Sequence, residues 1–550
     1  MLSSAARLGA KYIGGRLANP KVFGKNSGAR FGTRSYASAT ETDGNVTKPK
    51  STWGRKLLGA VAAIAVGAYV GDMALNDDMD NLTDKFRTRL SEEERTHRPK
   101  VVILGSGWGA MSMLRKLQTD KFNVTVVSPR NFFLFTPLLA STTSGLLEVR
   151  SIMEPIRKFC FRNGRQETRF VEMAATSVDP VNQKVYCQDT SAIKGLTSQI
   201  AIDYDYLVVG VGAETATFGI PGVQENAIYM KSIQDSRRIR DSVMDCFETA
   251  MIPGQPQEEI DRLLHFVVAG GGPAGVEYTA ELYDFITRDL TKSFPEVADR
   301  VKISLVEALP KILPMFDSKL IEYTEQKLNA TRRVEVWTKR AVTKVDPTTI
   351  TIKNMDSGEF QSVPYGTLVW VTGNSPVSLT KDLLAKIGPA AQPVPRGLSV
   401  DEHLRVKGAK NIFAFGDCAL AGRLPPTAQV ASQEGRFLGR LLNSFADELH
   451  AETQALRGVP VAERPASEVL NKNLNDSNKF IFHYLGTMAY IGDNEAIADF
   501  GPDSGKHAGF STWLLWRSVY MSKLLSVRNR VFVASDWLRA AIFGRDISRG

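Results

Sequence analysis

The stretch Val101-Val102-Ile103-Leu104-Gly105-Ser106-Gly107-Trp108-Gly109-Ala110 decides the fold. Its first four residues read as a short buried strand, and MSMLRKLQ after Ala110 reads as a helix. GxGxxA between strand and helix is a dinucleotide fingerprint in its required context. Gly105 allows the tight turn, Gly107 lets the backbone approach a pyrophosphate, and Ala110 permits close helix packing. The pyrophosphate sits at the helix N-terminus, where free N–H groups and the helix dipole favour an anion. The next strand, Asn123 to Val127, ends at Ser128-Pro129-Arg130. The usual ribose-binding acid is missing there, which leaves Ser128 and Arg130 as contacts for ribose, phosphate or adenine.

A second fingerprint lies 165 residues further on. His265 to Ala269 reads as a strand and is followed by Gly270-Gly271-Gly272-Pro273-Ala274-Gly275, then by a helix carrying Glu277 and Glu281. Gly270, Gly272 and Gly275 take the three fingerprint positions. The strand after it, Val301 to Val306, ends at Glu307. An acid there bonds a ribose 2′-hydroxyl and disfavours a 2′-phosphate, which points to NADH rather than NADPH. One glycine-rich turn is weak, because such turns occur without ligands. Two in strand–turn–helix context are hard to obtain by chance.

Two further apolar strands join the halves. Tyr206 to Ala213 ends in glycines that include Gly212, and Asn411 to Ala419 ends in Gly416-Asp417. A Gly-Asp of this kind lies against the ribityl and pyrophosphate of FAD in two-dinucleotide flavoproteins. The expected fold is therefore α/β, an FAD domain (98–260 and 391–450) with an NADH domain (261–390) inserted in it. Gly373 and Asn374 are assigned to the NADH site.

The chain has 550 residues, 43% hydrophobic and 23% charged, which is ordinary globular composition and excludes a wholly disordered or fibrous chain. The formal charge is +9, but residues 1–36 hold seven basic residues and no acid, which leaves +2 for the rest. The basic balance is thus no argument for nucleic-acid binding. The four cysteines, Cys160, Cys187, Cys246 and Cys418, are scattered, with no CxxC. That disfavours a disulfide scaffold, a zinc module, an iron–sulfur protein and a dithiol acceptor.

Residues 1–36, rich in Arg, Ser, Ala and Gly, have the composition of a mitochondrial transit peptide. Leu57 to Gly71 then runs fifteen residues without a charge. At about 1.5 Å per residue this stretch falls short of a ~30 Å hydrocarbon core, so a span would use 53–75. Lys48, Lys50, Arg55 and Lys56 precede it, while Asp72, Asp77, Asp78 and Asp80 follow. The positive-inside rule then puts later residues in the intermembrane space.

Two segments speak to the electron acceptor. After Pro425-Pro426, a helix carries Gln429 and Gln433 on one face. Neutral amides at a flavin edge suit the two carbonyls of a quinone, although spacing alone equally describes two solvent-facing glutamines. The C-terminal region 470–550 is rich in Trp, Leu, Val and Phe interleaved with Arg and Lys, including Trp513, Trp516, Arg517 and Trp537. That is the pattern of an interfacial membrane helix, or else of a core or dimer helix pair.

These residues closely resemble the external type of the mitochondrial type II (alternative, rotenone-insensitive) NADH:ubiquinone oxidoreductases. The matches include GSGWGA at 105–110, VSPRNFFLFTPLL at 127–139, RSIMEPIR at 150–157, GGGPAGVEYTAEL at 270–282, FGDCA at 415–419, PPTAQVASQEG at 425–435, GTMAYIG at 486–492 and WRSVYMSKLLSVRNR at 516–530. The resemblance covers about 98–550. It implies non-covalent FAD, NADH oxidation, ubiquinone reduction without proton pumping, and a C-terminal domain docked on inner-membrane lipid. It makes Gln429, Gln433 and Tyr520 quinone-site residues and puts Glu277 near nicotinamide and flavin. Ala428 and Gly435 become small packing positions beside the isoalloxazine. A homodimer is expected. No DxDxDG loop with a terminal Glu occurs, so no calcium control is expected. Glu277 is a candidate proton relay. Lys231 is a loose candidate near the flavin, the plainer reading being an exposed lysine. The competing readings are a sulfide:quinone oxidoreductase, which needs redox cysteines at the flavin, and a signalling flavoprotein resembling apoptosis-inducing factor.

Overall fold

The computed structural model describes residues 88–550 except 163–164, 457, 461–462, 464–466, 502–504 and 550. The leader expected at 1–36 and the span expected at 53–75 lie outside the described residues. Among those described, no helix is long and apolar enough to cross a membrane.

The first half begins with β1 (Lys100–Leu104), α1 (Trp108–Leu114), β2 (Asn123–Ser128), α2 (Leu139–Thr143), β3 (Thr168–Glu172) and β4 (Tyr206–Val209). β5 (Ile228–Tyr229) and α3 (Ile233–Ala250) lead into β6 (His265–Ala269), α4 (Pro273–Phe285), β7 (Lys302–Val306), β8 (Val334–Trp337) and β9 (Thr367–Trp370). The chain then returns through β10 (Ile412–Ala414) and α5 (Ala428–Ser444). It ends in β11 (Thr487–Gly492), β12 (Glu495–Asp499), β13 (Lys506–Gly509), α6 (Phe510–Lys523) and α7 (Val527–Phe543).

Two five-stranded parallel sheets result, in the orders β10-β4-β1-β2-β3 and β5-β9-β6-β7-β8. Each fingerprint strand, β1 and β6, is central and buried along its apolar run, as a sheet covered on both faces requires. The two halves share one plan. A three-stranded antiparallel meander, within 174–203 or 340–364, separates the strand at one edge from the strand beside the fingerprint. Because β10 pairs with β4, the second sheet is an insertion in the first domain. Its edge strand β5 comes from residues 228–229, upstream of the 261 boundary expected from sequence. The two crossings between halves pair with each other, Ala213–Thr215 against Asn374–Pro376. β11, β12 and β13 form a separate antiparallel sheet that precedes α6 and α7.

Glycines set the tightest packing. A Cβ on Gly109 would lie 2.4 Å from the ring of Phe415, and one on Gly210 would lie 2.2 Å from it. A Cβ on Gly435 would lie 2.0 Å from the Gly109 carbonyl oxygen, and one on Gly439 would lie 3.0 Å from that of Met113. Helices α1 and α5 therefore meet backbone to backbone, with Ser112 and Ser432 hydroxyls bonded at 2.8 Å. Gly435 is a small packing position whose α-carbon abuts the first turn of α1.

Gly435→Ala is expected to cost about 1–3 kcal/mol by overpacking this contact. The measurement is thermal unfolding of the variant beside the parent. An unchanged midpoint would mean that the helices separate freely.

Candidate functional site

The two fingerprint turns have the same construction. Gly105 has φ +106° and donates to Val127 O at 2.8 Å, while Gly270 has φ +121° and donates to Val306 O at 2.8 Å. A Cβ on Gly105 would lie 2.2 Å from Gly210 O, and one on Gly275 would lie 1.9 Å from Gly270 O. No residue but glycine fits these places. Gly107 and Gly272, which open α1 and α4, have nothing within 4 Å of a Cβ position, and neither does Gly212. Open space at a helix entrance, lined by backbone N–H groups, fits a dinucleotide pyrophosphate. Ala110 is buried under the first cradle.

The ends of β2 and β7 meet these turns in parallel ways. Ser128 Oγ lies 2.9 Å from Ser106 Oγ and accepts from Arg130 N at 3.2 Å, with the Arg130 side chain exposed at the rim. Glu307 accepts from Gly271 N with one carboxylate oxygen and from Leu309 N with the other, both at 2.7 Å. Each oxygen keeps a lone pair for a ribose hydroxyl.

Past β10, Gly416 (φ +71°) donates to Glu434 at 2.7 Å. Burial pushes Glu434 up to about 7 and raises Asp417 as well, against the pull of the Lys231 charge. Lys231 is half-buried and donates to Asn374 Oδ1 at 2.7 Å, so it is not a free surface lysine. Asn374 thus stands at the paired crossing with Lys231. Gly373 has φ +80°, and a Cβ on it would lie 2.4 Å from the Phe218 ring.

Helix α4 buries a column of carboxylates. Glu277, Glu281 and Asp284 share one face at i, i+4 and i+7. Glu277 accepts from Tyr490 N at 3.3 Å, and burial pushes it up to about 8. Glu281 accepts from Ser141 at 2.7 Å, Ser144 at 3.1 Å and Arg545 at 3.0 Å. Asp284 accepts from the Tyr490 hydroxyl and from Asp493 N, with Arg288 3.5 Å away. Each acid therefore ties the NADH half to another element: β11, α2 and the chain end.

The C-terminal domain reaches Glu277 through α6. The Trp516 and Tyr520 rings meet edge to face at 4.8 Å, Trp516 lies 5.7 Å from Tyr490, and Tyr520 lies 6.2 Å from Phe135. The indole N–H of buried Trp516 faces Glu277 and the Tyr520 hydroxyl but closes a hydrogen bond to neither. Burial, and then the charge of Glu277, raise the Tyr520 phenol far above its usual range.

Gln429 and Gln433 grip one extended segment. Gln433 donates to His483 O at 2.8 Å and accepts from His483 N at 3.0 Å. Gln429 donates to Gly486 O at 3.2 Å and accepts from Leu485 N at 3.1 Å. They are not solvent-facing glutamines. Ala428 stands at the first position of α5, behind the Thr427 cap.

Residues 99–435 match the family described as pyridine nucleotide-disulphide oxidoreductase, and residues 484–546 match the NDH2 C-terminal domain. The external alternative NADH-ubiquinone oxidoreductase of Yarrowia lipolytica is 44% identical over 472 residues, which cover 82% of this chain and 80% of the relative. The external NADH-ubiquinone oxidoreductase 2 of Saccharomyces cerevisiae is 43% identical over 455 residues, covering 82% of each. The structure of NDH2 from Plasmodium falciparum in complex with NADH superposes with TM-score 0.73 at 28% identity, over 82% of this chain and all of that one. The chain belongs to the alternative NADH-ubiquinone oxidoreductase family.

For this family member, sequence reasoning assigned no role to Glu434, Asp284 or Arg545. Three acids on one face of an otherwise apolar helix were the available signal for Asp284. Nothing local marks Arg545, whose partners Glu281 and Asp289 lie more than 250 residues away.

Arg545→Ala leaves Glu281 buried without its cation and is expected to destabilise by about 3–5 kcal/mol. Thermal unfolding and proteolytic release of the C-terminus measure this. Parent-like behaviour in both would show that water replaces the guanidinium without penalty.

Proposed function

We propose that this chain is a mitochondrial flavoprotein that oxidises NADH and reduces ubiquinone to ubiquinol by two-electron transfer, without pumping protons. The observation that carries this reading is the meeting point at Glu277. An acid of the NADH half lies there against Tyr520 and Trp516 of the C-terminal domain, with Phe135 of the FAD half beside Tyr520. The names and identities of the relatives support the same donor and acceptor.

Gly105, Gly107, Ala110, Ser128, Arg130, Gly212, Gly416, Asp417 and Ala428 would hold FAD without a covalent bond. Gly270, Gly272, Gly275 and Glu307 would hold NADH, with Gly373 and Asn374 at the crossing beside them. Bound FAD supplies the two-electron chemistry that links nicotinamide to quinone. The chain's own residues supply the rest. Each glutamine amide has two N–H donors and two acceptor lone pairs. One of each is spent on the 483–486 backbone, which leaves a donor for a quinone carbonyl.

Ubiquinol formation consumes one proton beyond the hydride of NADH. Glu277 holds a proton at neutral pH because burial disfavours its charge. It belongs to the NADH half and meets Tyr520 and Trp516, so it is the group assigned to carry that proton.

Docking on the inner membrane, catalytic domains facing the intermembrane space, is supported by three observations. Phe510, Leu515, Leu538, Ile542 and Phe543 are exposed on α6 and α7. Arg517 lies between Trp513 and Trp537, 4.1 and 4.4 Å from their ring centres. The charges flanking 53–75 point the same way. The same apolar face suits a second copy of the chain.

The decisive experiment is anaerobic. NADH added to FAD-loaded protein should bleach the flavin, and ubiquinone should restore it. Bleaching without recovery would sink the quinone assignment.

Glu277→Gln should lower ubiquinone-dependent turnover about 10²-fold, the size of a lost proton-transfer group. In the parent, Glu277 loses its proton as pH rises through about 8, so turnover falls across that range. The variant should lack that limb in a pH–rate profile. A profile identical to the parent's would remove Glu277 from the proton path.

A further inference from the structure

Starting at Gln433 and leading away from Gln429, a groove of about 830 Å³ runs along α5 as far as Phe445, beside the extended segment 477–485. That volume is ordinary for a site that takes one small ligand. Its floor is apolar. Phe437 and Phe480 pack with ring centres 5.5 Å apart, and Leu441 lies buried beneath. Ile481 and Leu485 border it and are exposed.

Its rim is cationic. Arg436 and Arg440 stand one turn apart on α5, and Lys479 comes from the facing segment. No Asp or Glu is among the described lining residues. Arg436 donates to the Ser432 hydroxyl at 2.8 Å rather than to a carboxylate. Arg440 makes no ion pair among the described residues. Lys479 reaches Glu402 at 2.9 Å. Burial and the charges of Arg440 and Arg115 all press Arg436 towards its neutral form. Like charges one turn apart destabilise a helix unless a counter-ion joins them. A cationic rim above an aromatic and aliphatic floor fits a molecule with an anionic head and an apolar tail. Neutral ubiquinone has no charge to offer the arginines.

We propose that this groove binds one anionic amphiphile, an acyl chain ending in a carboxylate or phosphate. The head group sits on Arg436 and Arg440, whose planar forks match either oxyanion. The chain lies along Phe437, Leu441 and Phe480. Nothing in NADH oxidation or quinone reduction requires this site, although its lining shares Gln433, His483 and Leu485 with the glutamine contacts described above.

The test uses the full chain with its FAD in non-ionic detergent and a diazirine-bearing palmitate as probe. After photolysis, labelled peptides are mapped by mass spectrometry. Label should concentrate in 436–445 and 477–485, and excess oleate should displace it. Oleyl alcohol should compete about tenfold less well, and Arg440→Glu and Arg436→Ala should each cut labelling about tenfold at unchanged flavin content. Stronger competition by phosphatidate vesicles than by oleate would make the source a membrane lipid; the reverse would make it a free fatty carboxylate. Either supports the site. Equal competition by the alcohol, label spread over the surface, or indifference to Arg440→Glu overturns it. Arg440 is exposed, so that variant decides the matter even if Arg436→Ala fails to fold.

Discussion

The ring of Phe415 occupies the space that side chains at Gly109 and Gly210 would need. Gly435 closes on Gly109 from the other side. Three stretches of chain, spread over more than 300 residues, are thereby held at backbone contact. The first turn of α1, the end of β4 and the middle of α5 cannot shift separately, because close-packed interiors leave no slack at such distances. Everything that follows β10 inherits this rigidity. Gly416 and Asp417 come directly after Phe415, and the helix that meets Gly109 also carries Ala428, Gln429 and Gln433. The flavin cradle and the glutamines are therefore parts of one body.

A second constraint ties that body to the NADH half. Placing carboxylates out of water is expensive, by several kcal/mol each unless they are paired. Helix α4 nevertheless buries Glu281 and Asp284 and half-buries Glu277. Glu281 and Asp284 face guanidiniums of Arg545 and Arg288, while Glu277 has only a backbone N–H as its closest donor. The charge of Glu281 adds to the burial that raises Glu277. The Arg545 contact, made from the C-terminal domain to Glu281, thus lies one helical turn from Glu277. A rigid helix carries that influence without any moving part.

Both parallel sheets are legible in the sequence because a dinucleotide turn has strict local demands. Glycines at 105 and 270 each follow an apolar strand and precede a helix, the order that a dinucleotide turn requires. Glu307 is legible for the same reason, since it ends the strand after the turn. Contacts between distant segments are not. The spacing of Gln429 and Gln433 shows that they share a face but not that the face meets 483–486. Lys231 looks like a surface lysine until its loop is seen against Asn374. The role of Gly435 depends on which helix lies across it, and a list of glycines holds no such information. The helical pair α6 and α7 could be recognised as apolar and basic, whereas the meeting of Trp516 with Glu277 is a product of folding.

The same architecture serves enzymes that pass electrons through cysteine sulfur, so the state of the four cysteines separates these chemistries. All four are buried and free. Burial pushes the thiols of Cys160 and Cys418 up to about 12 and that of Cys187 up to about 11, so none is a thiolate at neutral pH. Thiol exchange and sulfide oxidation both need a thiolate that solvent or substrate can reach. Cys418 lies closest to the flavin cradle, yet its sulfur is turned to Val209 O at 3.4 Å and Phe415 O at 3.3 Å. It serves as a small buried residue under Asp417. The four thiols therefore give no route for the electrons through cysteine sulfur. Gln429, Gln433, Tyr520 and Trp516 carry the polar groups of the proposed quinone site.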